Sequence, residues 1–443
     1  MNPAATASRG TAVPGGHGAE HVERVYAKVG WRIMPLLFIC YMVAYLDRIN
    51  IGYAQLQMKQ TLPFGDAAYG LGAGIFFIGY LLFEVPSNLM LEKIGARKTL
   101  LRIMFCWGIV ASAMMLVQTP MQFYVLRFLL GAFEAGFFPG IILYLTFWYP
   151  PARRGQMIAI FLSATTVMSM FAGPLCGAIL KYMNGLNGWH GWQWLFLVQG
   201  LPASILGIVC YLYLQDKPED ARWLNPNEKQ VLRDHLDHDQ GLVAGAAHGS
   251  FWQALRDPKV YVLSLAYFMA IGGIYAMVFW VPTLIKSWGV NDLFMVGIYA
   301  AIPNIFGVIG MILIGRSSDR LKERRWHFVA VALIAVVGLL IMTQMKGNLV
   351  GSLVGLSIGT IGVATLTPLF FTITSEYLSK AAAAGGIALI SSLGNLGSAA
   401  SPVVGGAITA STGDPNNTMY MVMAMFILAG LIVLFSVRPN RAA

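Results

Sequence analysis

Charge is scarce in this chain. Asp, Glu, Lys and Arg make up 11% of its 443 residues, against about 25% in soluble domains. That excludes an ordinary solvated surface. Cysteine is scarce too. Cys40, Cys106, Cys176 and Cys210 lie inside apolar runs with no CxxC pair, so neither a disulfide framework nor a metal site is expected. None of the seven histidines lies deep in an apolar run, which removes a histidine proton relay. HExxH and a phosphate-binding loop are missing, and the one GxSxG match, Gly355 to Gly359, lies inside a long apolar run rather than at a strand-to-helix turn. A polytopic membrane enzyme, the rival class, therefore has no catalytic motif to support it, and no cofactor is expected. The opening stretch, "MNPAATASRGTAVPGGHGAEH", has no basic segment leading into a short apolar one. We read it as a disordered tail, not a cleaved signal peptide.

What is abundant is hydrocarbon. The chain is 57% hydrophobic, with a mean hydropathy of +0.64. A membrane crossing needs about 20 apolar residues. Twelve segments qualify: roughly 32–56, 69–91, 99–117, 120–148, 156–181, 192–214, 260–285, 293–315, 327–345, 348–375, 382–410 and 418–437. The longest gap, 215–259, is polar and suits a soluble connector with a short amphipathic helix. The expected organisation is a tail at 1–29, a six-helix bundle at 30–214, the connector at 215–259, a second six-helix bundle at 260–437 and a tail at 438–443. The fold class is all-α, integral to the membrane, with the lipid bilayer as a partner.

A net charge of +10 in a soluble protein would suggest nucleic acid. Here its distribution argues against such a partner. With both termini and the connector on one side, that side collects 24 of the 30 Lys and Arg residues. The other side holds Lys59, Lys181, Lys286 and Lys346, and Arg48 and Arg127 stay inside spans. This bias predicts cytoplasmic termini and a cytoplasmic connector.

The chain also repeats itself. "NLMLEKIGARK", Asn88 to Lys98, matches "GRSSDRLKERR", Gly315 to Arg325, in a small/polar-x-x-x-acid-base-x-x-x-base-base pattern at an offset of 227. "GPLCGAI" in span 5 matches "SPVVGGAI" in span 11, placing Pro174/Gly177 against Pro402/Gly405 at an offset of 228. Two six-span bundles in parallel orientation explain both.

Twelve spans in six plus six, a long connector and that motif at both equivalent loops resemble the major facilitator superfamily. Three positions depart from the family pattern: Asn88 and Lys322 stand where glycine is usual, and Glu92 where Asp is usual. "YLDRINIGYA", "FFIGYLLFEVPSN", "LRFLLGAFEAGFFPG" and "WYPPARRGQ" resemble the anion:cation symporter family within it. "GAGIFFIGYLLFEVPSNLMLEKIGARK" and "GWQWLFLVQGLPA" are most similar to bacterial tartrate-type permeases. The resemblance implies uptake of an organic anion with protons, sodium being the alternative ion, through the inner membrane of a bacterium. Tartrate-like hydroxy-dicarboxylates are favoured. Aromatic acids such as hydroxyphenylacetate, phthalate or nicotinate, and sugar acids, are the alternatives. We expect a monomer.

Charges in a bilayer cost from about 3 kcal/mol upward, so they mark the site. Four qualify: Asp47 and Arg48 in span 1, Arg127 and Glu134 in span 4. Adjacent helical residues point about 100° apart. Arg48 shares a face with Tyr41, Tyr45, Gly52 and Gln55, which suits a cavity. Asp47 shares one with Cys40, Ala44, Ile51 and Ala54, which suits close packing against span 4, where Arg127 is its expected partner. Asp47 and Glu134 read as proton carriers, a role that the resemblance also implies, because burial favours the protonated form of a carboxyl group. Arg48 and Arg127 read as anion-binding or switching cations, guanidinium being suited to two-pronged carboxylate binding. The alternative is a static buried ion pair that fixes helix packing. Tyr45, Tyr80, Ser391, Asn395 and Asn304 are further substrate candidates; small-residue helix contact with polar glue is the competing account for Ser391, Asn395 and Asn304. Glu84, Glu92, Arg97, Arg153, Arg154, Asp319 and Arg320 are expected at a cytoplasmic gate. Trp148, Trp189, Trp192 and Trp194, near span ends, read as interface anchors.

Overall fold

The computed structural model describes residues 18–243, 255–378 and 383–437. Among the described residues, twelve helical units are long and apolar enough to cross a membrane: Glu20–Thr61, Asp66–Leu91, Ala96–Leu116, Pro120–Thr146, Pro151–Tyr182, Gly191–Tyr213, Pro258–Ser287, Leu293–Leu321, Arg325–Gln344, Leu349–Glu376, Gly386–Thr412 and Asn416–Ser436. They are called spans 1 to 12. No strand occurs among the described residues.

The two halves pack by one scheme. Spans 1–5, 1–6, 2–4 and 3–6 touch in the first half; spans 7–11, 7–12, 8–10 and 9–12 touch in the second. Every pair recurs six spans later, the spatial counterpart of the sequence repeat. The repeat reaches the backbone. Gly95, in the first loop motif, has φ +89°, and Lys322, its equivalent in the second, has φ +52°. Both motifs are sharp turns between nearly continuous helices, and that geometry explains why glycine suits the position.

The halves meet on the side away from the termini and connector, called here the far side. Span 5 crosses span 8 where a Cβ on Gly173 would lie 2.3 Å from Gly297 O, and one on Gly297 would lie 2.1 Å from Gly173 O. Span 2 crosses span 11 in the same way: a Cβ on Gly70 would lie 2.9 Å from Gly406 Cα. Gly70 and Gly297 are themselves equivalent positions of the repeat. Only residues without a side chain let helices approach this closely. Lys181 pairs with Asp292 across the same boundary, and Lys286 Nζ donates to Leu56 O (3.3 Å). The hydrogen bonds and ion pairs that join the halves among the described residues lie at midplane or on this side. The connector stays with the first half through Lys28–Glu228 (2.8 Å), made from its helix Pro226–Val243, and through the stacked rings of Trp148 and Trp223, which precedes that helix.

Two expectations change here. Residues 19–29 are helix, not tail, because Val22, Val25, Tyr26 and Val29 form a buried stripe continuous with span 1. The remaining tail residues, 1–17 and 438–443, lie outside the described residues. Trp148 and Trp192 are buried rather than at an interface. Trp192 Nε1 donates to Thr61 Oγ1 (3.1 Å), tying span 6 to span 1.

Candidate functional site

Span 1 consists of two helices, Ala19–Ile49 and Ile51–Thr61, joined at Asn50. The break falls just after Arg48. Span 4 is also broken: Pro120–Glu134 ends on the glutamate, and Phe137–Thr146 resumes after Ala135 and Gly136. Gly136 has φ +84°, and a Cβ there would lie 2.4 Å from Ser87 Oγ, so the break needs glycine twice over. Asn50 keeps right-handed helical angles (φ −58°, ψ −28°), so span 1 is only locally loosened there. The non-helical break of span 4 sits beside Glu134, where such backbone is tolerated only inside protein or along a cavity.

Arg48 is the hub. Its Nη2 pairs with Glu134 Oε1, and its Nη1 donates to Tyr275 Oη (3.4 Å) in the second half. Its guanidinium lies 5.5 Å from the Tyr80 ring centre and 5.9 Å from that of Phe76. Glu134 is fully buried, and its Oε2 has no hydrogen-bond partner among the described residues. Tyr275 is the repeat equivalent of Arg48, and Ile274 that of Asp47. The two repeats thus face each other through equivalent residues, but only the first half carries charge there.

Asp47 is held separately. Asn50 Nδ2 donates to its Oδ1 (3.0 Å), and Trp107 Nε1 of span 3 donates to its Oδ2 (2.5 Å). Cys40, Ala44, Ile51 and Ala54 on its face are all fully buried, as close packing requires. That face meets spans 3 and 6, where Cys40 Sγ lies 3.5 Å from Cys210 Sγ, both thiols being free. The expected contact with span 4 is therefore corrected, and so is the expected pair with Arg127. Trp107 and Asn50 occupy both carboxylate oxygens of Asp47. Arg127 is fully buried and donates from Nε to Gly72 O (3.1 Å), its guanidinium 4.8 Å from the Phe76 ring centre. Phe76 thus touches both arginines. Gly131 leaves room for span 2, since a Cβ there would lie 1.9 Å from Phe76 O.

A cavity of about 290 Å³ opens between the halves beside this cluster. Of the candidate substrate residues, Tyr45 and Asn304 line it. Arg48, Arg127, Tyr80, Ser391 and Asn395 do not line it. Tyr80 instead lies against Arg48, and Ser391 and Asn395 are half-buried on span 11. The cavity also recruits Tyr53, Thr165, Ser169 and Thr360, which sequence reasoning missed. Hydroxyl residues four apart in an apolar span, as Thr165 and Ser169 are, were the available signal. For Tyr275 the signal was the repeat offset from Arg48.

The expected gate residues lie on the connector side and bond within their own halves. Arg97 donates to Tyr211 O (2.9 and 2.6 Å), Arg153 grips Glu23, and Arg154 donates to Tyr149 O (3.1 Å). Asp319 pairs with Arg324 (2.7 Å) in the second half, while Arg320 is exposed. Glu84 is half-buried at the end of span 2, and the side chain of Glu92 lies outside the described residues. No group of three or more His, Cys, Asp or Glu placed to hold a metal ion occurs among the described residues.

The sequence profile of the Major Facilitator Superfamily matches residues 37–402, and the chain belongs to that superfamily. It is a multi-pass membrane transporter, not an enzyme. Among curated relatives, it is 43% identical to an Agrobacterium vitis protein named for tartrate transport, over 93% of this chain and 94% of that one. It is 41% identical to NicT of Pseudomonas putida, named for metabolite transport, with the same coverage of 93% and 94%. Among solved structures, the inward open xylose transporter XylE from E. coli superimposes with a TM-score of 0.74 at 13% identity, covering 94% of this chain and 97% of that one. That likeness concerns the fold alone.

Proposed function

We propose that this chain imports an organic carboxylate by proton symport, the two halves rocking around the midplane cluster. The observation that carries the proposal is the buried Arg48–Glu134 pair with Glu134 Oε2 left bare. While Glu134 is ionised, it holds Arg48. A proton on Oε2 neutralises the glutamate and releases the guanidinium, which then binds a carboxylate in two-pronged fashion. Anion and proton enter together, so the buried site keeps its net charge. Drawing one anion into an electrically negative interior costs about 2.3 kcal/mol per 100 mV, and each co-transported proton offsets that amount. Asp47, between spans 1 and 3, is the second proton site, and Arg127 supplies fixed positive potential behind Phe76.

Relatives named for tartrate transport favour a tartrate-like hydroxy acid. The basic bias supports a cytoplasmic connector and cytoplasmic termini, hence placement in a bacterial inner membrane. The structure is then closed on the periplasmic side. The connector-side charges from Glu84 to Arg320 form the opposing gate once the halves rock. We take the unit of transport to be one chain.

Uptake into proteoliposomes tests this reading. An inward proton gradient should drive accumulation of tartrate or a related acid, and a sodium gradient alone should not. Accumulation that ignores the proton gradient and survives Asp47→Asn combined with Glu134→Gln refutes proton coupling.

A further inference from the structure

The cavity beside Arg48 has an unusual polar lining: among the described residues that form it, none carries a charged side chain. Arg48 lies outside the lining but within one helical turn of Tyr45, which belongs to it. On the proposed reading Arg48 receives the carboxylate, and the rest of the substrate occupies the neutral chamber. What that chamber recognises follows from which of its polar atoms are already engaged.

Asn304 is the most constrained of them. Its Nδ2 donates to Ser169 O across the two halves (3.2 Å) and to Ala300 O in its own helix (3.0 Å). Two carbonyl oxygens around one end of the amide fix that end as nitrogen, because a carbonyl can only accept. Both donors are thereby used. The atom left for the cavity is Oδ1, an acceptor. Three hydroxyls in the lining are committed in the same sense. Thr165 Oγ1 donates to Leu162 O (2.8 Å), Ser169 Oγ to Thr166 O (2.8 Å) and Thr360 Oγ1 to Leu356 O (2.8 Å). Each hydroxyl has one proton, and each has given it to its own helix. These committed groups present lone pairs from spans 5, 8 and 10, while Tyr45, Tyr53, Thr166 and Thr367 in the same lining keep hydroxyls that can turn to donate or accept.

A fixed acceptor such as Asn304 Oδ1 cannot turn to meet another acceptor and rewards a hydroxyl, which brings its own proton. We infer that Asn304 is a specificity-determining residue that selects hydroxylated acids over their deoxy counterparts. Thr165, Ser169 and Thr360 supply supporting acceptors. The inference rests on the organic-anion reading and narrows it to the hydroxy acids, whether tartrate-like or sugar-acid-like. The physical basis of the selection is an asymmetry. A site built to pair with a hydroxyl loses that bond when the hydroxyl is missing and leaves a buried acceptor bare as well.

The test is competition binding to purified protein with acids that differ only in hydroxyl groups: tartrate against succinate, gluconate against hexanoate, and mandelate against phenylacetate. The wild-type chain should prefer the hydroxylated member of at least one pair by tenfold or more. Asn304→Ala should reduce that ratio by about tenfold, through weaker binding of the hydroxy acid with the deoxy acid nearly unchanged. Ser169→Ala keeps the Asn304 tie, which is made to the Ser169 backbone oxygen, and should reduce the ratio by less. A purely structural role, as a strut between spans 8 and 5, would weaken both members of a pair equally. That result, or a wild-type chain that discriminates none of the pairs, overturns the inference. If no carboxylate binds at all, the anion reading itself fails, and the selectivity claim falls with it.

Discussion

Leucine at Gly297 should force the closed far side open. A Cβ at this position would lie 2.1 Å from Gly173 O and 2.6 Å from Gly173 C, both of them backbone atoms of span 5. An ordinary carbon–oxygen contact is about 3.3 Å, so the two helices must part by about 1.2 Å. No side chain can rotate away to absorb this, because the obstacle is a helix backbone. Overpacking of this kind costs about 1–3 kcal/mol, and here the cost falls only on the state in which spans 5 and 8 touch. A change of about 1–3 kcal/mol is roughly a 5- to 150-fold loss in the ratio of far-side-closed to far-side-open molecules. A cysteine at the cavity-lining position Thr360 reports that ratio. A membrane-impermeant maleimide, added from the far side, should label Thr360→Cys faster in the Gly297→Leu background than without it. The chain lacking Thr360→Cys gives the background from native thiols. Gly315→Leu is the control, since no atom lies within 4 Å of a Cβ there. Equal labelling in the Gly297→Leu, Gly315→Leu and unmodified chains would refute the argument that the glycine crossings hold the far side shut.

The other expectations are shorter. Arg48→Ala should abolish carboxylate binding, while Glu134→Gln, which leaves Arg48 unpaired, should permit exchange but block uphill uptake; equal loss of counterflow in both would end the division of roles. The hydrogen bond from Lys181 holds the Asp292 carboxyl below its ordinary value. A depressed value stabilises the closed far side above the ordinary carboxylate range, and this contribution is lost as pH falls from that range through the depressed value. Asp292→Asn, which can still cap span 8, should therefore speed labelling of Thr360→Cys at neutral pH. The ratio of its rate to that of the Thr360→Cys chain with native Asp292, which cancels the thiol's own pH dependence, should fall toward one as the far side is acidified. Lys322 holds a left-handed turn at φ +52°, which costs a non-glycine residue about 1–2 kcal/mol. Lys322→Gly should accordingly stabilise the protein by about 1 kcal/mol in detergent unfolding, and destabilisation would show that the lysine side chain contributes more than its backbone costs.

How much was legible in the sequence differs between the fold and the site. The twelve spans, the connector and the repeat could be read because each is a local property: the length of an apolar run, the composition of a gap, or a motif recurring at a fixed offset. The helix break at Gly136 could not. The stretch around it is apolar and helical by pattern, and only the approach of Ser87 to Gly136 demands the turn. The four buried charges were found because hydrocarbon makes any charge conspicuous. Their pairing was only half found. Helical faces correctly separated Asp47 from Arg48, but a face gives a direction and not a neighbour, so Asp47 was given Arg127 when its partners are Trp107 and Asn50. Tyr275 was missed because a tyrosine in an apolar span looks ordinary until its offset from Arg48 is noticed.

By itself, then, the sequence determined that this chain crosses a membrane twelve times in two duplicated halves, and that it carries a few charges inside those spans. Those conclusions follow from the free energy of putting residues into hydrocarbon, which depends on composition and spacing alone. Only the tertiary structure decided which carboxylate holds which guanidinium, that the far side is shut by paired glycines, and that Asn304 presents an acceptor to the cavity. Each of these depends on atoms far apart in the chain coming within hydrogen-bond or contact distance, and local pattern carries no information about that.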